Sequence, residues 1–209
     1  IFATPADYFS VGQAAGSPTT FGRFYPDHFS VQSPLLTNRV DMACASSFTY
    51  MDEAFDVSFS LAAMNAQANV VSNYISNFAL LADISGNQFG ELSLRSIDTA
   101  TNTPLTLRQS QIAGASINWS NGLSNVLLRV ALSSDSSLVA DGPFNSMTLS
   151  VLPDDGDASV LASVLNADSD ADATDDSVLL ATTAIYAGRM RGANAYGPES
   201  RALDLPVFV

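Results

Sequence analysis

The feature that most constrains this chain is a two-residue alternation. Phe55-Asp56-Val57-Ser58-Phe59-Ser60-Leu61-Ala62 puts Phe55, Val57, Phe59 and Leu61 on one side of an extended backbone. Successive strand side chains point to opposite faces, so these four residues share a face in a β-strand and scatter around the axis in a helix. Further strand candidates lie at 6–11, 22–31, 47–51, 70–80, 91–97, 116–119, 125–132, 146–152, 184–191 and 202–209. Turn signals such as Asn121-Gly122 and Asp141-Gly142-Pro143 separate them. Strands recurring every ~10–15 residues without helical crossovers predict an all-β chain, an antiparallel β-sandwich of immunoglobulin-like type. One segment, 158–166, spaces Val160, Leu161, Val164 and Leu165 as a helical stripe. Residues 85–88 read as a turn.

Two short stretches echo each other. Pro5-Ala6-Asp7-Tyr8-Phe9-Ser10-Val11 and Tyr25-Pro26-Asp27-His28-Phe29-Ser30-Val31 both run from Pro through Asp to Phe-Ser-Val. Proline cannot donate to a ladder, so each opening suits an edge or first-strand position. A composition shift near 102–114 predicts two β-sandwich modules, tandem or tightly packed, at 1–110 and 111–209. The second carries an Asp-rich loop at 154–176.

The 209 residues include eight Arg, no Lys, eighteen Asp and three Glu, for a net charge of -13. Such a chain is a poor partner for phosphate backbones and for anionic membranes, so neither nucleic acid binding nor membrane insertion is expected. No run of ~18 apolar residues exists to span a bilayer. Without Lys, Schiff-base, P-loop and kinase-type mechanisms are excluded. One His and one Cys exclude a two-histidine metal site and an internal disulfide. Cys44 reads as a buried small hydrophobe, with an intermolecular disulfide as the alternative. The chain starts at Ile1 with no signal-peptide pattern, as a processed chain or a piece of a longer one does. Abundant Ser, Thr, Asn and Ala are common in secreted bacterial β-proteins.

Eight of the eighteen Asp fall between Asp154 and Asp176. In Asp168-Ser169-Asp170-Ala171-Asp172-Ala173-Thr174-Asp175-Asp176 oxygen ligands recur at alternate positions. Ca²⁺ takes six to eight hard oxygens, so Asp168, Asp170, Asp172, Asp175 and Asp176 are candidate Ca²⁺ ligands, with Asp154, Asp155 and Asp157 as possible contributors. The competing reading is a solvated acidic loop. The EF-hand pattern fits only Asp168, Asp170 and Asp172. Ala173 stands where its Gly belongs and Leu179 where its closing Glu belongs. The nearest downstream cations are Arg189 and Arg191.

Catalytic constellations are sparse. His28 and Cys44 have no nucleophile-elbow or papain-type context. A glycosidase-like carboxylate pair has only Glu53, Glu91 and Glu199 to draw on beside Asp, and Glu53 sits between strands where it could face a cleft. Trp119, the single Trp, reads as a core anchor rather than a sugar-stacking ring. Asn118-Trp119-Ser120 satisfies the glycosylation sequon.

Several blocks, in order, resemble a known family. Phe21-Gly-Arg-Phe-Tyr-Pro-Asp-His-Phe29 is followed by Cys44-Ala-Ser-Ser-Phe-Thr-Tyr-Met51, Phe55, Ala63-Met-Asn-Ala-Gln67 and Asn73-Tyr74. Then come Asp141-Gly-Pro-Phe144, Asp154 to Asp157, Gly188-Arg-Met-Arg191, Asn194-Ala-Tyr-Gly197 and Leu205-Pro-Val207. Together these resemble the C-terminal domain of MshQ-like proteins, from the mannose-sensitive haemagglutinin type IV pilus system of Gram-negative bacteria. Ala68 stands where that family has Gly, Ala54 where it has Pro, and Asp157-Ala-Ser where it has Asp-Gly-Val. The resemblance implies an extracellular, β-rich module of the bacterial cell surface with a structural or adhesive role, and it brings no catalytic residue. The expected partners are pilus or filament subunits, or further copies joined through edge strands, with Ile1-Phe2-Ala3 and Leu205 to Val209 as candidate exchanged strands. The alternatives are Ca²⁺-dependent binding of surface glycans or a receptor near Asp168 to Asp176, and a secreted hydrolase built around Glu53.

Overall fold

A computed structural model describes residues 25–41, 46–81, 91–113, 117–138, 141–156, 164–188, 191–192 and 207–208. The strands are β1 (His28–Thr37), β2 (Phe48–Tyr50), β3 (Phe55–Met64), β4 (Glu91–Asp98), β5 (Thr103–Pro104), β6 (Gln109–Ala113), β7 (Leu123–Leu132), β8 (Phe144–Asp154), β9 (Val178–Tyr186), β10 (Arg191–Gly192) and β11 (Val207–Phe208). They form a β-sandwich. One sheet has the order β1-β3-β7-β6 and the other β2-β9-β8-β4-β5, while β10 and β11 pair with each other. All pairings are antiparallel except β2 with β9, which is parallel. No described helix is long and apolar enough to cross a membrane.

The alternation that opened the sequence reading is realised in β3. Phe55, Val57, Phe59 and Leu61 are buried, while Asp56, Ser58 and Ser60 are only partly covered. In β7, Val126, Leu128 and Val130 point inward, and Asn125 and Leu127 point out. Met147, Leu149 and Val151 of β8, with Leu180 and Ile185 of β9, supply the opposing layer of the same core. Burying one such side chain contributes ~1.5–3 kcal/mol, so this interior drives the folding of both sheets.

The expected division at residues 110 and 111 falls inside β6, and each sheet takes strands from both sides of it. Phe29, Phe55 and Leu92 share one hydrophobic cluster with Leu128, Leu149 and Ile185. The sheets have no break at that point.

Two expected strands are not strands. Segment 70–80 makes a single bridge from Val70 to Met64, turns at 72–73 and enters a 3-10 turn at Ser76–Phe78. Ser76 adopts φ 48°, which ends extension, and the turn lets Tyr74 pack against Phe29 and Trp119 at ring-centroid distances of 5.6 and 4.8 Å. Residues 117–119 are irregular because Ile117 and Trp119 fill the core from a loop, and Trp119 Nε1 donates to the Leu81 carbonyl. Trp119 is thus a core anchor. The candidates at 6–11 and 85–88, most of 158–166, most of 202–209, and Cys44 lie outside the described residues.

Candidate functional site

The Asp-rich loop hangs between β8 and β9, and backbone bonds pin its base. Asp176 N and Ser177 N donate to the Ala167 carbonyl at 3.0 and 3.1 Å, and Asn166 N and Ala167 N donate to the Ser177 carbonyl at 2.9 and 3.1 Å. The buried Ser177 hydroxyl donates to Ser150 Oγ on β8 at 2.8 Å. The loop is therefore closed like a hairpin and fixed to the sheet.

Its interior is organised by short Asp side chains bonding nearby amides, the usual behaviour of Asp in turns. Asp168 Oδ1 accepts from Ala171 N at 2.8 Å and Asp170 N at 3.2 Å, and its Oδ2 accepts from Ala173 N at 2.8 Å. Asp170 Oδ1 accepts from Asp172 N, and Asp172 Oδ1 from Thr174 N. Partial burial pushes the Asp168 carboxyl up, but the amides of Ala173, Ala171 and Asp170 outweigh it and hold the group below the ordinary carboxylate range. Ala171 and Ala173 take the left-handed region at φ 69° and 68°. Ala173 thus makes the turn that Gly makes at the matching EF-hand position, at a steric cost of ~1–2 kcal/mol for a residue with Cβ.

One carboxylate oxygen from each of Asp168, Asp170 and Asp172 lies within 4.8 Å of the other two. Oxygens bound to one Ca²⁺ at ~2.3–2.6 Å are at most ~5 Å apart, so this spacing suits a single hard cation. Asp176 and Asp175 are outside that group. Asp176 faces Arg95 of β4, with Ser169 donating through its amide at 3.0 Å and its hydroxyl at 2.7 Å. Burial raises the Asp176 carboxyl, while the Ser169 and Ser177 hydrogen bonds and the Arg95 charge bring it below the ordinary range. Asp175 is exposed. Asp154 caps its own turn through Gly156 N, and buried Asp155 accepts the Tyr74 hydroxyl at 3.3 Å, so Asp155 serves the core. Asp157 is outside the described residues.

Among the described residues, the cation beside the loop is Arg95, 81 positions before Asp176. Arg189 and the Arg191 side chain lie outside the described residues. Arg95 pairs in register with Ser150 of β8, whose hydroxyl meets Ser177, so the sheet carries Arg95 to the loop. Only strand pairing makes these residues neighbours, and no sequence signal marks it.

Of the other candidates, Glu53 and His28 have structural partners, while the Glu91 side chain and Glu199 lie outside the described residues. Glu53 accepts Arg39 Nε at 3.1 Å on both oxygens and the Tyr50 amide at 3.1 Å. Arg39 also lies over the Phe48 and Tyr50 rings at 5.5 and 5.2 Å. His28 Nδ1 is 2.8 Å from Asp27 Oδ2. Arg129 pairs with Asp56, and Arg108 with Asp141.

Residues 1–180 match the sequence model of a family described as DUF6701, third domain. The chain belongs to that family. The match covers β1 to β8, the Asp-rich loop and the first three residues of β9. No curated protein and no solved structure matches the chain.

Proposed function

We propose that the chain is a non-enzymatic structural or adhesive module of a bacterial cell surface, associated with pili or surface filaments as in MshQ-like proteins. The supporting observation is the use made of the blocks that carry that resemblance. Phe29 and Phe55 fill the core, Tyr74 locks the aromatic cluster, and Asp141 anchors Arg108 beside Phe144. These motifs hold sheets together and need no reacting group.

Assembly by strand exchange uses the termini in this reading. The edges formed by described strands are short, three residues in β2 and two in β5, or carry register shifts, at 32/35 in β1 and 111/113 in β6. Short and irregular edges resist strand addition. Val207–Phe208 pairs with Arg191–Gly192 of its own chain, so exchange of that segment displaces an internal pairing. Ile1-Phe2-Ala3 lies outside the described residues. Immunogold electron microscopy of cells making the native protein tests the proposal. Label on surface filaments is expected, and label confined to the cell interior rejects it.

A second reading, Ca²⁺-dependent recognition of a surface glycan or receptor, is favoured by the convergence of Asp168, Asp170 and Asp172. Calorimetric titration with CaCl₂ tests it, and absence of binding at millimolar Ca²⁺ ends it.

A further inference from the structure

We infer that the outer face of the β2-β9-β8-β4-β5 sheet carries a groove that binds a neutral saccharide directly, without a metal ion. The floor is a cross-strand row. Ile97 of β4 pairs with Thr148 of β8, which pairs with Thr182 of β9. One wall is Asn166 to Asp168 with Leu179, and the other is the turn after β4 with Thr99 and Asn102. The groove holds about 310 Å³, the low end of small-ligand sites and enough for a ligand of one or two rings.

The lining selects the ligand class. Thr148 Oγ1 and Thr182 Oγ1 lie 3.3 Å apart, so one hydroxyl donates to the other and the pair keeps a donor and lone pairs for the groove. Asn166 Oδ1 accepts the Leu179 amide at 2.7 Å. That bond fixes the carboxamide and leaves its Nδ2 hydrogens without a partner among the described residues. Ile97, Leu179 and Ala167 supply apolar surface between these polar groups. A pyranose has the same mixed character, with hydroxyls at its rim and C–H groups on its faces. Among the described residues the only ionisable one in the lining is Asp168, and amides already occupy both of its oxygens. No cation among the described residues lines the groove to hold an anionic ligand. A cationic ligand meets more charge on Asp170 and Asp172, outside the lining. Saccharide binding here requires neither a filament nor Ca²⁺, so it can stand or fall apart from both readings above.

The test uses the 209-residue chain, ¹⁵N-labelled, with cellotriose, maltotriose and galactotriose as probes and trilysine as a charged control. Saturation transfer to at least one trisaccharide is expected. Amide shifts should centre on Thr99, Asn102, Thr148, Asn166, Leu179 and Thr182, and should persist in EDTA. Thr182→Val, which removes one hydroxyl without changing shape, should weaken binding by about five- to tenfold, and Thr182→Ser should restore it. Asn166→Asp keeps the acceptor for Leu179 N and removes the donor, so it should weaken binding with the spectrum otherwise intact. No transfer to any trisaccharide, shifts centred elsewhere, loss of binding in EDTA, or the same shifts with trilysine instead of sugar each overturn the inference.

Discussion

Replacing Asp141 by Asn tests whether a few ion pairs bind this low-charge sandwich together. Arg108 Nη1 and Nη2 donate to the two Asp141 oxygens at 2.8 and 2.6 Å, and Nε and Nη2 donate to the Ser133 carbonyl at 3.0 and 2.6 Å. Asp141 also accepts the Asp135 amide at 2.6 Å, and the guanidinium lies 5.5 Å from the Phe144 ring centroid. The Asp141 side chain is 10% exposed and that of Arg108 21%. Asn keeps one acceptor but loses the charge, so a largely buried guanidinium keeps its Ser133 carbonyl and Met51 Sδ contacts and loses the carboxylate it pairs with. Breaking a fully buried pair costs ~3–5 kcal/mol, and the residual exposure here reduces that to ~2–3 kcal/mol. For a chain of this length that lowers Tm by ~5–10 °C, measured by circular dichroism at pH 7. The Arg108 hydrogen bonds hold the Asp141 carboxyl below its ordinary range. Its folded pKa is thus depressed, so the stabilisation is complete above ~4, the unfolded value, and fades as pH falls through the lower folded pKa. The Tm gap between wild type and Asp141→Asn should be constant from pH 6 to 8 and narrow below pH 4. A Tm change under 1 °C at pH 7, or a gap as wide at pH 3 as at pH 7, would refute the reasoning.

Three other perturbations probe separate parts of the structure. Phe29→Ala empties a 0%-exposed site between Tyr74 and Trp119 and should cost ~3–5 kcal/mol in urea unfolding, whereas a loss under 1 kcal/mol contradicts the packing. Ala173→Gly relieves the left-handed turn at φ 68° and should raise stability by ~0.5–1 kcal/mol, and a lower Tm would place Ala173 in another conformation. If the Asp168, Asp170 and Asp172 group holds Ca²⁺, a hundredfold excess over Kd should stabilise the chain by ~2.7 kcal/mol and EDTA should reverse it. Asp170→Asn should then diminish that response, and a Tm indifferent to both Ca²⁺ and EDTA rejects the site.

The strands legible in the sequence are those whose faces differ, such as β3, β7 and β8, because the alternation is stored in residues two apart. Turns with committed chemistry were legible too. Asn121-Gly122 separates the loop of Trp119 from β7 with φ of 51° and 76°. Segment 70–80 has the apolar residues of a strand, but they serve a turn that swings Tyr74 inward. The strand expected at 47–51 contains β2, but its parallel pairing with β9 left no pattern, and neither did β5, since two residues cannot display a period.

By itself the sequence determined the fold class, the low density of charge, the acidic loop and the alternation of Asp within it. Each is a property of adjacent residues, set by backbone geometry and side-chain type. Tertiary structure decided which carboxylates gather, that Arg95 faces Asp176, and that Ile97, Thr148 and Thr182 line up as the floor of a groove. Those neighbours are joined by strand register. Register follows from burying both inner faces at once, a condition on the whole chain that no short segment contains.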